Sequence, residues 1–157
     1  MSNTAVSWIN DLFVRNKVPY LICGGFAAFV YGSKRMINDI DIFVPDDYFD
    51  LIVSLGQEYI SKPAKHYIEE AEGWNVKYVQ FIYRETKIEV GSSKGVEIFD
   101  SSLKKWVGLE IDFSNIEYRM VYGINIPLMA IEELVNYKKV LARPVDHEDI
   151  EAINAGV

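Results

Sequence analysis

The sequence predicts an α+β domain in which a mixed β-sheet carries helices mainly on one face. Three observations predict it. Helical stripes flank two short strand patterns near the N-terminus, strand patterns dominate the middle, and helical patterns return at the C-terminus.

Residues 4–17 place Val6, Trp8, Ile9, Leu12 and Phe13 at helical spacing, and Pro19 ends that helix. The apolar run 20–23 is a short buried strand. Gly24 and Gly25 break it, and 26–31 is a short helix closed by Gly32. Residues 39–44 alternate charged and apolar side chains, a strand of period two. Pro45 stops it, and Asp46 or Asp47 caps a helix to about Glu58. Residues 59–73 carry no clear period; a strand or irregular stretch leads to a short helix at 68–71. Two strands, 76–84 and 86–90, flank a tight turn at Arg84-Glu85. A helical turn is expected within 95–101. Strands at 106–112 and 115–121 surround a polar turn, followed by an extended piece at 124–127. Met129, Leu134, Val135, Val140 and Leu141 form the apolar stripe of a helix over 129–141, stopped by Pro144. Asp146 caps a last helix to about Ile153. No repeat or low-complexity linker divides the chain, so one domain over 1–157 is expected.

The composition narrows the function. Half of the 157 residues are hydrophobic, enough for a sizeable core. The longest apolar run, 21–31, is interrupted by two glycines and is too short to span a membrane. The first ten residues have no basic n-region of a secretory leader, and a cytoplasmic protein without membrane attachment is expected. Cys23 is the single cysteine, so no intrachain disulfide forms, and no Cys/His spacing suggests zinc. The net charge of −7 argues against strong binding of duplex nucleic acid, which depends on neutralising phosphates. A small anionic substrate can still bind with metal ions or at a local basic patch. Two such patches are Lys34-Arg35 and the group Lys138, Lys139, Arg143.

The chemistry concentrates at Gly24-Gly25 and Asp39-Ile40-Asp41. Glycines between a strand and a helix let the backbone approach a ligand, and the helix start offers free N–H groups to a phosphate. A plain tight turn uses the same residues. In a strand, Asp39 and Asp41 point the same way while Ile40, Ile42 and Val44 face the core. Two adjacent carboxylates repel unless a cation lies between them, and hard oxygen donors suit magnesium. An acidic solvent-exposed strand face is the simpler alternative. Glu89, in Lys87-Ile88-Glu89-Val90, joins them if its strand lies beside 39–44. Three carboxylates can hold two metal ions for in-line nucleotidyl transfer, with Glu89 accepting the proton of the attacking hydroxyl. Asp112 is a rival third acid close to an expected turn.

These residues resemble the polymerase-β-like nucleotidyltransferase superfamily. Its pattern is a Gly-Gly or Gly-Ser turn opening a helix, an acidic pair on the next strand, and a third acid on a later one. The string Gly32-Ser33-Lys34-Arg35-Met36-Ile37-Asn38-Asp39 resembles a small bacterial and archaeal subgroup that often carries Arg-x-Thr-x-Asp-x-Asp. Arg35 matches; Ile37 replaces the usual Thr. Ile126-Pro127, the 131–134 run, Lys138, Arg143, Asp146 and Asp149 follow the same subgroup's C-terminal pattern. The resemblance implies a nucleotidyltransferase fold, with Asp39, Asp41 and Glu89 as catalytic and metal-binding residues. It implies two Mg2+ ions, with Mn2+ as an alternative, and a nucleoside triphosphate held by Gly24, Gly25, Ser33, Arg35 and Lys138. A solvated helix lysine is the alternative for Lys138, and Arg143 with Asp146 or Asp149 suits a structural ion pair.

Two functions follow. In one, a nucleoside monophosphate passes from the triphosphate to a hydroxyl of a small molecule, an RNA end or a protein side chain. In the other, the resemblance to AbiEii-type toxins and their antitoxins implies a nucleotide- or partner-binding module, such as an antitoxin engaging a partner toxin. A scaffold role for a tyrosine-rich surface is a third, plainer reading.

Overall fold

Val6, Ile9 and Phe13 fall on the buried stripe of the first helix, α1 (Asn3–Arg15), in a computed structural model that describes residues 3–156. The Trp8 ring of α1 stacks on Tyr83, with centroids 4.7 Å apart, and meets Phe81 edge-on at 5.9 Å. The short apolar run becomes β1 (Leu21–Cys23), and Gly24 starts α2 (Gly24–Tyr31) without an intervening loop. The acidic strand is β2 (Asp39–Val44), followed by α3 (Asp46–Leu55) and a 3-10 turn at Gln57–Tyr59. Asp46 is the first residue of α3. Its carboxylate accepts from Ser92 Oγ at 2.6 Å and pairs with Lys77 at 2.8 Å instead of capping the helix.

The middle of the chain holds β3 (Ile60–Glu69), β4 (Trp74–Tyr83), β5 (Thr86–Ser92), β6 (Glu97–Asp100) and β7 (Lys105–Gly108). Then come β8 (Ile116–Val121), β9 (Ile124–Met129), α4 (Ile131–Leu141) and α5 (Pro144–Ala155). The sheet runs β7-β6-β4-β5-β2-β1-β9-β8, with β3 on the other edge of β4. It is mixed: β2 is parallel to β5 and β1 to β9, while the other neighbours are antiparallel.

Four further expectations are corrected. Residues 68 and 69, expected to be helical, end the long strand β3, because β4 supplies seven cross-strand partners from Ile60 to Glu69. Residues 97–100 form β6 rather than a helical turn, since Trp74 and Asn75 of β4 and all of β7 pair with it. The strand expected at 106–112 stops at Gly108, and β7 and β8 lie at opposite ends of the sheet. Asp146 is not the N-cap of α5 but its third residue. The helix starts at Pro144, and Asp146 accepts the backbone N–H of Arg143 at 3.0 Å.

Period-two alternation puts Val79 and Phe81 of β4 toward α1 and the end of α3, and Trp74, Val76, Tyr78 and Gln80 toward the opposite face. Trp74 there meets Tyr137 of α4 edge-on at 5.6 Å. One end of that second face is covered by α4, and the rest stays open to form the cavity described below. Among the described residues, no helix is long and apolar enough to cross a membrane.

Phe81 is fully buried between Trp8 and Gly56, where a Cβ on the glycine would lie 2.6 Å from the ring. Phe81→Ala is expected to lower the unfolding free energy by about 3–5 kcal/mol in urea titrations, because the cavity cannot be refilled from the glycine side.

Candidate active site

Pairing between β2 and β5 runs in unbroken parallel register from Asp39↔Lys87 to Val44↔Ser92, which sets Asp41 beside Glu89. On its other side Asp41 pairs with Cys23 of β1. The residue after Cys23 is Gly24, at φ 64°. A side chain at Gly24 would overlap the Asp41 carboxylate, so the glycine is required by both its backbone conformation and the space. The backbone N–H of Gly24 donates to Tyr137 Oη at 2.7 Å, which ties the start of α2 to α4.

Asp39, Asp41 and Glu89 line one cavity of about 430 Å³ with Gly24, Gly25, Arg35 and Lys138. Seven of the eight residues singled out from the sequence therefore meet at one place. Ser33 lies behind it, buried, with its hydroxyl donating to Asp149 at 2.9 Å. The rival acid Asp112 is exposed in a turn, where it accepts from Ser114.

Burial pushes the Asp41 carboxyl up to about 7, with the charges of Glu89 and Asp39 adding to the effect. Glu89 is raised for the same first reason, partly offset by the hydrogen bond from Gln80 Nε2 at 3.2 Å. The neighbouring Cys23 thiol is buried and pushed well above its ordinary value, so it is not a nucleophile.

Cations surround this acidic centre but are already engaged. Arg35 grips Asp149 through Nε and Nη2 at 2.7 and 2.9 Å. Lys138 is 1% exposed, which rules out the solvated-helix alternative. Its ammonium donates to Asp149 at 2.9 Å and to Asp146 at 3.5 Å. Arg143 holds Asp146 through Nε and Nη2 and reaches Glu72 at 2.8 Å, so it is the structural ion pair the sequence suggested. Burial works against the charge of Asp149, but the hydrogen bonds from Arg35, Lys138 and Ser33 outweigh it and hold its carboxyl below the usual value.

Several residues at the site carried no sequence signal. Tyr137 is hidden beside Lys138 on the same helix. Gln80 is found only once its strand is known to pair with Glu89. The wall formed by Glu69, Glu72, Trp74 and Tyr78 belongs to the stretch whose period is unclear and to the strand after it.

The site is suited to binding hard cations and phosphates. As placed, no three His, Cys, Asp or Glu side chains among the described residues converge as a metal-ligand set. The donor chemistry nevertheless fits. Asp41 and Glu89 are adjacent, both are raised by burial and by neighbouring carboxylates, and their nearby cations are committed to Asp146, Asp149 and Glu72.

No family model matches the chain, and no curated protein matches it in sequence. Solved structures match it in fold. A candidate nucleotidyltransferase from Thermotoga maritima is 17% identical, with a TM-score of 0.69 over 96% of this chain and 92% of its own. The lincosamide antibiotic adenylyltransferase LnuA, solved with lincomycin bound, is 15% identical, with a TM-score of 0.64 over 100% of this chain and 99% of its own. The structure of ANT(2″)-Ia with adenylyl-2″-tobramycin is 14% identical, with a TM-score of 0.58 over 97% and 88%.

Two stability measurements check these electrostatics. The Asp41 pKa lies above its unfolded value of 3.8, so the stability it contributes is full below that pH and is lost as pH rises through about 7. Asp41→Asn is therefore expected to be more stable than the metal-free parent at pH 8, by roughly 2–4 kcal/mol, with the gain gone below pH 4. Asp149 has the opposite sign. Its depressed pKa adds stability that is present above about 3.8 and lost as pH falls through the folded value. Asp149→Asn also leaves the buried Lys138 with a single distant carboxylate, and a loss of about 3–5 kcal/mol is expected at pH 7, narrowing below pH 4.

Proposed function

Given the nucleotidyltransferase fold, that of the polymerase-β-like superfamily, we propose that this protein transfers a nucleoside monophosphate from a nucleoside triphosphate to a hydroxyl group of a small-molecule acceptor. The observation that carries the proposal is the parallel β2–β5 register, which sets Asp41 beside Glu89 in one cavity with the glycine-opened start of α2. The carboxylates of Asp39, Asp41 and Glu89 would hold Mg2+, or Mn2+ in its place. When bound, the ions supply charge neutralisation for the triphosphate and acidify the acceptor hydroxyl.

The remaining chemistry belongs to the chain's own residues. The Gly24-Gly25 backbone gives the phosphates a close approach at a helix N-terminus. A Cβ at Gly25 would stand 2.6 Å from Arg35 Nη2, so the guanidinium lies beside that turn and lends it positive charge. Lys138 and Ser33 act behind Arg35 by fixing Asp149, which fixes the guanidinium. Glu89 is the proton acceptor. Gln80 orients it through the hydrogen bond from its side-chain amide.

The acceptor would lie along Glu69, Glu72, Trp74 and Tyr78, across the cavity from α2. An aromatic wall with carboxylates suits a compound bearing hydroxyl groups and a cationic amine. Support for a small acceptor comes from LnuA, which matches over nearly its whole length and holds lincomycin, and from ANT(2″)-Ia, which holds an adenylylated tobramycin.

The test measures pyrophosphate release with Mg2+, each of the four nucleoside triphosphates and a panel of amine-bearing hydroxyl compounds. Mass spectrometry of the acceptor should show the added nucleoside monophosphate. Glu89→Gln is expected to slow transfer by roughly 10²–10⁴-fold, and Asp39→Asn and Asp41→Asn to abolish metal-dependent triphosphate binding as well. Tight magnesium-dependent nucleotide binding without transfer to any acceptor would instead identify a nucleotide-binding module. Absence of both metal and nucleotide binding would refute the site.

A further inference from the structure

Among the described residues the sheet ends in three edges, and they are built differently. The β3 edge contains Pro63, two lysines and register shifts on both sides of Lys62. The β7 edge is four residues long, starts with Lys105 and ends at Gly108. Prolines, lysines, irregular register and short length are the usual protections against edge-to-edge pairing. The β8 edge has no proline, lysine or register shift, and its two charged residues are of opposite sign. It runs six residues in continuous register with β9, from Ile116↔Met129 to Val121↔Ile124.

Exposed apolar side chains gather at this edge. Tyr118 is 59% and Met120 66% exposed, and both fall on one face of β8 with Ile116. Glu117 and Arg119 share the other face, where the guanidinium lies over the Tyr31 ring of α2 at 5.2 Å. Near the end of the strand, Tyr122, Phe29 and the 83%-exposed Met36 line a small apolar depression of about 200 Å³ with Phe26.

We propose that β8 pairs antiparallel with β8 of a second copy of this chain, about a two-fold axis through Tyr118, to join the two sheets into one. The register follows from the sequence of the strand. An axis at Tyr118 sets Glu117 opposite Arg119 of the second copy, and Arg119 opposite its Glu117. On the other face it sets Ile116 opposite Met120 of the second copy and the two Tyr118 rings side by side. An axis at residue 117 would oppose glutamate to glutamate, and one at 119 arginine to arginine, each destabilising. A strand that is self-complementary in charge and in apolar surface at one register suits an isologous contact between identical chains. Glu117 and Arg119 pair within one copy at 3.2 Å and are both partly exposed, so they can exchange partners without either being buried alone.

Sedimentation velocity or light scattering on the full chain tests the contact. The parent is expected to have twice its 18.0 kDa chain mass. Glu117→Arg and Arg119→Glu place like charges opposite each other, and each alone is expected to raise the dimer dissociation constant by at least about tenfold. The double reversal, Glu117→Arg with Arg119→Glu, is expected to restore dimerisation, and Met120→Lys to abolish it. Circular dichroism of each variant separates loss of pairing from loss of fold. A monomeric parent overturns the proposal. A dimer that survives both single reversals, or folded single variants that the double reversal does not rescue, overturns the β8 pairing.

Discussion

Parallel pairing of β2 with β5 is the constraint on which the cavity depends. Side chains in a strand alternate with period two, so the register between two strands decides which residues share a face. With Asp41 beside Glu89, Ile40, Ile42, Ile88 and Val90 are all buried on the other face. A slip of one residue would drive the carboxylates into the core and bring isoleucines into the cavity. The hydrophobic packing against α1 and α3 therefore enforces the placement of the acids. Stability and chemistry share one pairing, and neither can vary without the other.

The cavity is electrostatically divided. Asp41 and Glu89 are raised by burial and by neighbouring carboxylates, whereas the cations behind them are satisfied by buried carboxylates. Asp149 is central to the second half. It joins the segment after α2, through Ser33 and Arg35, to Lys138 of α4, while sitting on α5 itself. Such a network is costly to assemble but strongly specifies one arrangement when every member is bonded. Among the described residues no buried side-chain polar atom lacks a partner.

The sequence made much of this legible, for physical reasons. Gly24, Gly25, Asp39 and Asp41 were readable because a turn and a period-two strand are local. Glu89 needed one assumption about strand neighbours, and the β2–β5 pairing supplies it. The arm 59–73 was opaque because β3 is a sheet edge. Ser61, Lys65, His66 and Ile68 stand in solvent, so no apolar alternation marks it. Likewise, residues 97–100 are strand because of the partners Trp74 and Trp106 bring from elsewhere in the chain. Lys138 shows the limit of local reading. Its spacing on α4 is that of a helix lysine, and its burial becomes evident only when α5 is seen to set two aspartates against it.

The contact between Arg143 and Glu72 joins two walls of the cavity by charge. Arg143 precedes α5, and Glu72 sits in the turn between β3 and β4, so the pair bridges the helical layer to the strand arm across the cavity mouth. Its Asp146 end is buried, but its Glu72 side chain is 60% exposed. Ionic strength screens an exposed pair far more than a buried one. Beside it, Trp74 of β4 packs edge-on against Tyr137 of α4, an apolar contact that salt scarcely touches. The bridge from α5 to the β3–β4 turn is thus the part of the cavity rim most open to screening by salt.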